Sequence, residues 1–293
     1  MIIDLHAISF SDRQGYLQHA IAPRPICFAS TMDKAGNINL SPFSFFNLFS
    51  INPPIVIFSP SRRGRDNSTK HTLQNILELP EVAINIVDYD MVQQTSLSSC
   101  EFPKEVNEFI KAGFTEQAST LIKPPMVKES KVKMECRVIE IKPLGDQAGA
   151  GNLVICEVLR MHIDDSILDD KKMIDQRKIH QVARLGGNWY SAVNEKTIFE
   201  VEKPNTKLGI GVDALPPQVR ESHILTGNNI GMLANMHELP PIDPSYEDDR
   251  LKQIFQYYAV DPAEMDRELQ VYAKELLDHG KVKEAWQVLL TLT

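Results

Sequence analysis

Several functional classes are excluded by what this sequence does not contain. Its four cysteines, Cys27, Cys100, Cys136 and Cys156, form no C-x-x-C pair, so neither a zinc motif nor a dithiol redox motif is written in the chain. Four buried thiols in a reducing compartment are expected instead. The eight histidines include no H-x-x-x-H pair and His237-Glu238 stands alone, so no metal site is expected. No G-x-G-x-x-G follows a strand-like run; Gly209-Ile210-Gly211 lacks the third glycine, so a Rossmann nucleotide site is not expected. No apolar run approaches the ~20 residues that cross a bilayer. Met1-Ile2-Ile3-Asp4 opens without a basic or an apolar leader, so the expectation is a cytoplasmic protein with no membrane partner. A net charge of −8, with no basic stripe interleaved with aromatics, gives no reason to expect a nucleic-acid partner. No Ser/His/Asp set or carboxylate pair stands out, so no side chain is assigned a catalytic acid or base role.

What is present is an ordinary globular composition, 43% hydrophobic and 24% charged. A chain of 293 residues suits one large or two modest domains. Charge divides it unevenly: residues 201–293 carry 15 acidic and 9 basic side chains, against 24 and 22 in residues 1–200. Three segments are expected: a barrel domain over 1–202, a Pro/Gly/Asn-rich connector over 203–245 and a helical extension over 246–293.

The pattern of the first segment is mostly β. A short helix over Ser11–Ala20 leads in. Ile26–Thr31, Ile38–Leu40, Ile55–Ser59 and Glu81–Val87 read as strands, with turns at 33–37 and at Asn52-Pro53-Pro54. Val132–Ile141 nearly alternates apolar with charged residues, and Asn152–Ile163 follows after a Gly-containing loop, so the two are expected to pair antiparallel. Helices are expected over 69–79, with Asp66, Asn67 or Ser68 as cap, and over Lys104–Ala112, ending at Gly113. Many strands with only short helices between them favour a β-barrel over a doubly wound sheet. From Tyr246 onward, stripes at Leu251, Ile254 and Tyr258, at Leu269, Tyr272 and Leu276, and at Val282, Trp286 and Leu289 predict helices.

The chemistry concentrates between Arg24 and Thr72. Two apolar strands flank a loop rich in Ser, Asn, Phe and Pro, and R-R-G-R-D-N-S-T-K-H-T then runs into a helix. A ring system needs apolar walls with a few polar contacts; a phosphate needs cations, hydroxyls and a helix N-terminus. Arg62, Arg63, Arg65 and Lys70, with the hydroxyls of Ser59, Ser61, Ser68 and Thr69, form a candidate phosphate cradle, or else a solvated basic turn. Phe43, Phe45, Phe46 and Phe49 are a stacking wall or core aromatics. Asn47 is suggestive because a buried amide needs partners.

R-P-I-C-F-A-S-T, S-P-F-S-F-F-N, N-P-P-I-V-I-F-S, K-H-T-L-Q-N-I, V-A-I-N-I-V, N-L-V-I-C-E-V-L-R-M-H-I-D and R-L-G-G-N-W-Y, in this order over roughly residues 10–200, resemble the flavin reductase-like domain family. The resemblance is to the branch containing the reductase component of nitrilotriacetate monooxygenase. It implies a mainly β fold, an FMN-binding split barrel with short helices, to which the α-helical C-terminal extension is added. It also implies a homodimer with FMN near the subunit interface. Carried over, Ser30 and Thr31 approach the ribityl chain or phosphate. Ser41, Ser44, Phe45 and Asn47 run past the isoalloxazine ring. Ser59, Ser61, Arg62 and Lys70 hold the phosphate, and His162 and Arg184 lie near the flavin edge or the partner subunit. The family's frequent K-D-T is Lys70-His71-Thr72 here, which removes any role for an acid at 71.

The implied activity is an NAD(P)H:flavin reductase, in which NADH or NADPH gives hydride to FMN and a partner monooxygenase is one candidate recipient of reduced flavin. Two alternatives share the fold: an electron-transfer flavoprotein that keeps FMN tightly, and a non-enzymatic flavin-binding protein whose helical tail docks a partner.

Overall fold

The computed structural model describes residues 1–201, 203 and 208–292. The expected boundary at residue 202, and residues 204–207 of the expected connector, lie outside the described residues. The chain forms two compact units, Met1–Phe199 and Glu200–Thr293.

The first unit begins with α1 (Phe10–Ala20), β1 (Arg24–Pro25), β2 (Cys27–Met32), β3 (Ile38–Phe43), β4 (Phe46–Ser50) and β5 (Ile55–Phe58). It continues through α2 (His71–Glu78), β6 (Glu81–Ile86), α3 (Val92–Leu97), α4 (Glu108–Ala112), β7 (Glu116–Gln117) and β8 (Met126–Val127). It ends with β9 (Val132–Pro143), β10 (Asn152–Ile163), β11 (Val182–Arg184) and β12 (Tyr190–Ala192). Seven strands make one sheet in the order β3-β2-β6-β9-β10-β5-β4, with every pairing antiparallel. The expected pair of long strands is found, β10 against β9 from Asn152↔Pro143 to Ile163↔Val132.

The sheet curls. Phe43 of the edge strand β3 meets Phe58 of β5, near the other edge, with ring centroids 5.5 Å apart. Ser59 N donates to Phe45 O at 2.8 Å beside them. Contact between strands so far apart in sheet order requires a half-closed barrel, and alternation of side chains then gives an inner and an outer set. The inner set includes Ala29, Phe43, Val56, Phe58, Ile84, Met134 and Val154, closed by Leu73 and Ile76 of α2. On the other face of β2, Phe28 and Leu40 pack with Met91, Phe109 and Phe114 under α3 and α4.

Three thiols, Cys27, Cys136 and Cys156, are buried in the barrel core as expected, and burial pushes Cys156 up to about 12. Cys100 departs from that expectation: it is exposed, because it lies on the turn after α3 with no apolar neighbour strand to cover it.

The second unit holds α5 (Pro217–Arg220), α6 (Gly227–Ala234), α7 (Asp249–Tyr257), α8 (Pro262–Asp278) and α9 (Val282–Leu289) around the fully buried Trp286. Asp261 caps α8, accepting Glu264 N, and Pro262 takes the first helical position, where its missing N–H costs nothing. Residues expected as connector contribute Leu215, Val219, Leu225 and Leu233 to this core. Their helices are too short to show a periodic stripe in sequence, so packing rather than propensity fixes them.

Glu135 is a fully buried anchor of the barrel. Its carboxylate accepts Thr120 N (2.9 Å), Thr120 Oγ1 (2.6 Å), Ile122 N (3.2 Å) and His162 Nε2 (2.6 Å), and also Leu121 N. Burial alone would raise its pKa; these hydrogen bonds outweigh burial and hold it down to about 2. The folded state therefore favours the ionised form, and its contribution is complete above the ordinary carboxyl range and fades as pH falls toward 2. Glu135→Gln is expected to lower unfolding free energy at pH 7 by about 1.5–3 kcal/mol, the scale of hydrogen bonds to a charge. Urea unfolding of the two proteins checks this; the gap should narrow steadily below pH 4.5.

Candidate functional site

The site is built at the start of α2. The apolar positions Leu73 and Ile76 draw this helix onto the barrel core. Its N-cap is Lys70, with extended backbone (φ −70°, ψ 148°) and no side-chain cap. The expected caps are engaged elsewhere. Asp66 Oδ1 accepts Ser68 N at 2.9 Å and Ser68 Oγ at 2.5 Å, and Asn67 binds Arg62. The first N–H groups of α2 thus meet no local side-chain acceptor, and a helix start of this kind favours an anion.

Around that helix start lies a recess lined by Asn39 and Ser41 of β3, Arg63, Lys70, His71 and Thr72, the turn from Ser98 to Phe102, and Glu108. One wall is a buried hydrogen-bonded chain. Thr72 Oγ1 donates to Asn39 Oδ1 at 2.6 Å, Asn39 Nδ2 donates to Glu108 Oε1 at 2.9 Å, and Leu40 N donates to Glu108 Oε2 at 2.9 Å. Burial raises the Glu108 pKa against these bonds. The opposite wall is cationic. Arg63 is pinned by donating to Ser68 Oγ (3.0 Å) and Thr69 O (2.6 Å), and its Nε lies 3.1 Å from Glu101 Oε1. Burial, then the Arg63 charge, pulls the Lys70 ammonium below its ordinary pKa. Burial and then Arg63 and Lys104 lower the His71 pKa likewise. Concentrated positive charge that depresses its own members is what an oxyanion would relieve.

The expected site residues are distributed as follows. Ser41 and Lys70 line the recess. Ser59, Ser61 and Arg62 lie on the segment held by the loop before β10: Arg62 N donates to Ala150 O (2.9 Å), Gly149 N to Arg62 O (3.2 Å), and Asn152 Nδ2 to Pro60 O (3.0 Å). Gly151 permits this approach, since a Cβ there would lie 2.6 Å from Ser59 Oγ. The Arg62 guanidinium donates to Asn67 Oδ1 (2.7 Å) and Asn67 O (2.6 Å), so it shapes the loop, and Arg63 is the arginine in the recess. Ser30 and Thr31 are both fully buried and, as strand neighbours, face opposite sides. Thr31 Oγ1 accepts Asn75 Nδ2 at 3.2 Å, whereas Ser30 Oγ has no partner among the described residues.

Ser44 lies 3.4 Å from Arg24 Nε. Phe45 is exposed. Asn47 is exposed too, and its Oδ1 accepts the next backbone N–H at 2.8 Å, so the expectation of a buried amide is corrected: its strand β4 is the sheet edge. Of the four loop aromatics, Phe43 and Phe46 pack into the core and Phe45 and Phe49 face outward. His162 donates to Glu135, and Arg184 stacks over Tyr190 at 4.6 Å beside a separate hollow of about 360 Å³. The recess also contains Asn39, Glu101 and Glu108, which no local motif singled out. Asn39 is brought there by β3, Glu101 by the segment between α3 and α4, and Glu108 by the start of α4.

A curled antiparallel sheet with short covering helices, as found here, is the split-barrel fold of flavin-related oxidoreductases. The model of the flavin reductase like domain matches residues 19–183, more than half the chain, and the chain belongs to that family. The match ends before the second unit. An uncharacterized protein of Aquifex aeolicus is 38% identical over 170 residues, 58% of this chain and 84% of that one. The structure of nitrilotriacetate monooxygenase component B from Bacillus cereus superposes with a TM-score of 0.64 at 28% identity, covering 69% of this chain and 98% of that one. A protein of Shewanella frigidimarina with a split barrel domain gives a TM-score of 0.57 at 25% identity, with 68% and 96% covered. Among the described residues no helix is long and apolar enough to cross a membrane.

Thr72→Val keeps shape but removes the donor to Asn39, leaving a buried acceptor unpaired. A loss of about 1–3 kcal/mol in unfolding free energy is expected by chemical denaturation. No change would show that the recess wall does not depend on this bond.

Proposed function

We propose that this protein binds FMN with the phosphate in the recess at the start of α2 and catalyses hydride transfer to it from NADH or NADPH. The observation that carries the reading is the pairing of Arg63 and Lys70 with an uncapped helix N-terminus, in a chain of the flavin reductase-like family. The donor set fits a phosphate: a pinned guanidinium, a half-buried ammonium, the Ser41 hydroxyl and backbone N–H groups. Bound FMN would supply a two-electron acceptor. The chain's own work is then to hold the phosphate, fix the flavin against the barrel and leave one face open to the nicotinamide.

We also propose a homodimer. Leu48, Phe49 and Ile51 on and beside the edge strand β4, with Leu159 and Met161 of β10, leave a run of large apolar side chains exposed. A second copy would cover such a surface. Sedimentation equilibrium should give twice the 33.1 kDa chain mass; a monomer at micromolar concentration would contradict it.

The visible spectrum tests the activity. Flavin bands should shift on mixing with the protein and bleach when NADH or NADPH is added without oxygen. A shift without bleaching would leave a flavoprotein with another electron donor. Lys70→Ala should weaken FMN binding by about 1.5–3 kcal/mol, the scale of one charge-assisted hydrogen bond, and leave riboflavin binding unchanged. Equal FMN affinity in the two proteins would remove Lys70 from the site.

A further inference from the structure

The cations of the recess share one carboxylate. Glu101, on the turn between α3 and α4, places Oε1 3.1 Å from Arg63 Nε and Oε2 2.9 Å from Arg65 Nη2. Lys70 Nζ lies 3.9 Å from Oε1. No other acidic side chain reaches Arg63 or Lys70 among the described residues; of these cations Asp66 meets Arg65 alone, at 3.5 Å.

We infer that Glu101 is an internal surrogate for the flavin phosphate, exchanged for it on binding, so that it sets the selectivity for phosphorylated over unphosphorylated flavin. The inference rests on the recess being the FMN phosphate site. Glu101 has two oxygens and one charge. Both oxygens are directed at guanidinium groups, so Lys70 is held only at the limit of an ion pair and the α2 N–H groups gain no acceptor. A phosphate brings up to two charges and a third oxygen, enough to engage all of these donors. The exchange is sterically open. The Glu101 side chain is 39% exposed, and its turn is fastened by backbone bonds such as Phe102 N to Cys100 O (2.9 Å), so the carboxylate can leave without unfolding α3 or α4. Two like charges cannot share the cradle, so phosphate entry and Glu101 departure are coupled. Riboflavin lacks the phosphate and cannot drive the exchange.

Glu101→Gln separates the outcomes. Fluorescence titration of the full chain should show FMN bound about five- to tenfold more tightly by the variant, the worth of removing one competing charge near a partly exposed site. Riboflavin affinity should be unchanged. Inorganic phosphate should raise the melting temperature of the variant more than that of the parent. Equal or weaker FMN binding by the variant, or a gain shared by riboflavin, overturns the inference and leaves Glu101 as a residue that holds Arg63 and Arg65 in place. Absence of FMN binding by the parent chain is a different result: it removes the functional reading and the inference together.

Discussion

Closure of the sheet around the Phe43–Phe58 contact is the constraint on which the remainder of the first unit depends. These rings belong to strands near opposite edges of a seven-strand order, and they meet only because the sheet curls. The curl creates the concave apolar surface that Leu73 and Ile76 cover, and this fixes where α2 begins. It also sets β3 beside that helix start, so that Asn39 and Ser41 face Lys70 and Thr72. A flat sheet of the same strands would bury less apolar surface and leave α2 without a seat.

Electrostatics then follows from burial. The recess concentrates Arg63, Lys70 and an uncapped helix start where water is partly excluded, and burial followed by the Arg63 charge lowers the pKa of Lys70 and of His71. Glu101 balances part of that charge. Glu108, which faces the same recess, does not add to it in the same way, because its oxygens are taken by Asn39 and Leu40 N and burial raises its pKa. The two acids thus differ in role through their surroundings alone: one fastens β3 to α4, the other meets the cations.

Much of this was legible in the chain. The alternation from Val132 to Ile141 and the apolar run from Asn152 to Ile163 mark β9 and β10 because a half-buried strand must repeat every two residues. The Leu73 and Ile76 spacing marks α2, and ordered motifs mark the family. Other features depend on tertiary partners and left no local trace. Asp66 could cap α2 by position, but Ser68 takes its oxygen. Arg62 and Arg63 are equivalent in sequence, yet Asn67 claims the first and the recess holds the second. Asn47 reads as a buried amide within a Phe-rich loop, but its strand is the sheet edge and the side chain is exposed. Glu101 comes from a distant turn that no motif connects to Lys70.

The most direct test of the account is a crystal structure of the protein grown with FMN. The account predicts phosphate oxygens within hydrogen-bond distance of Arg63, Lys70 and the first backbone N–H groups of α2. A phosphate seated instead against Ser59, Ser61 and Arg62, with the α2 recess left to Glu101, would contradict it.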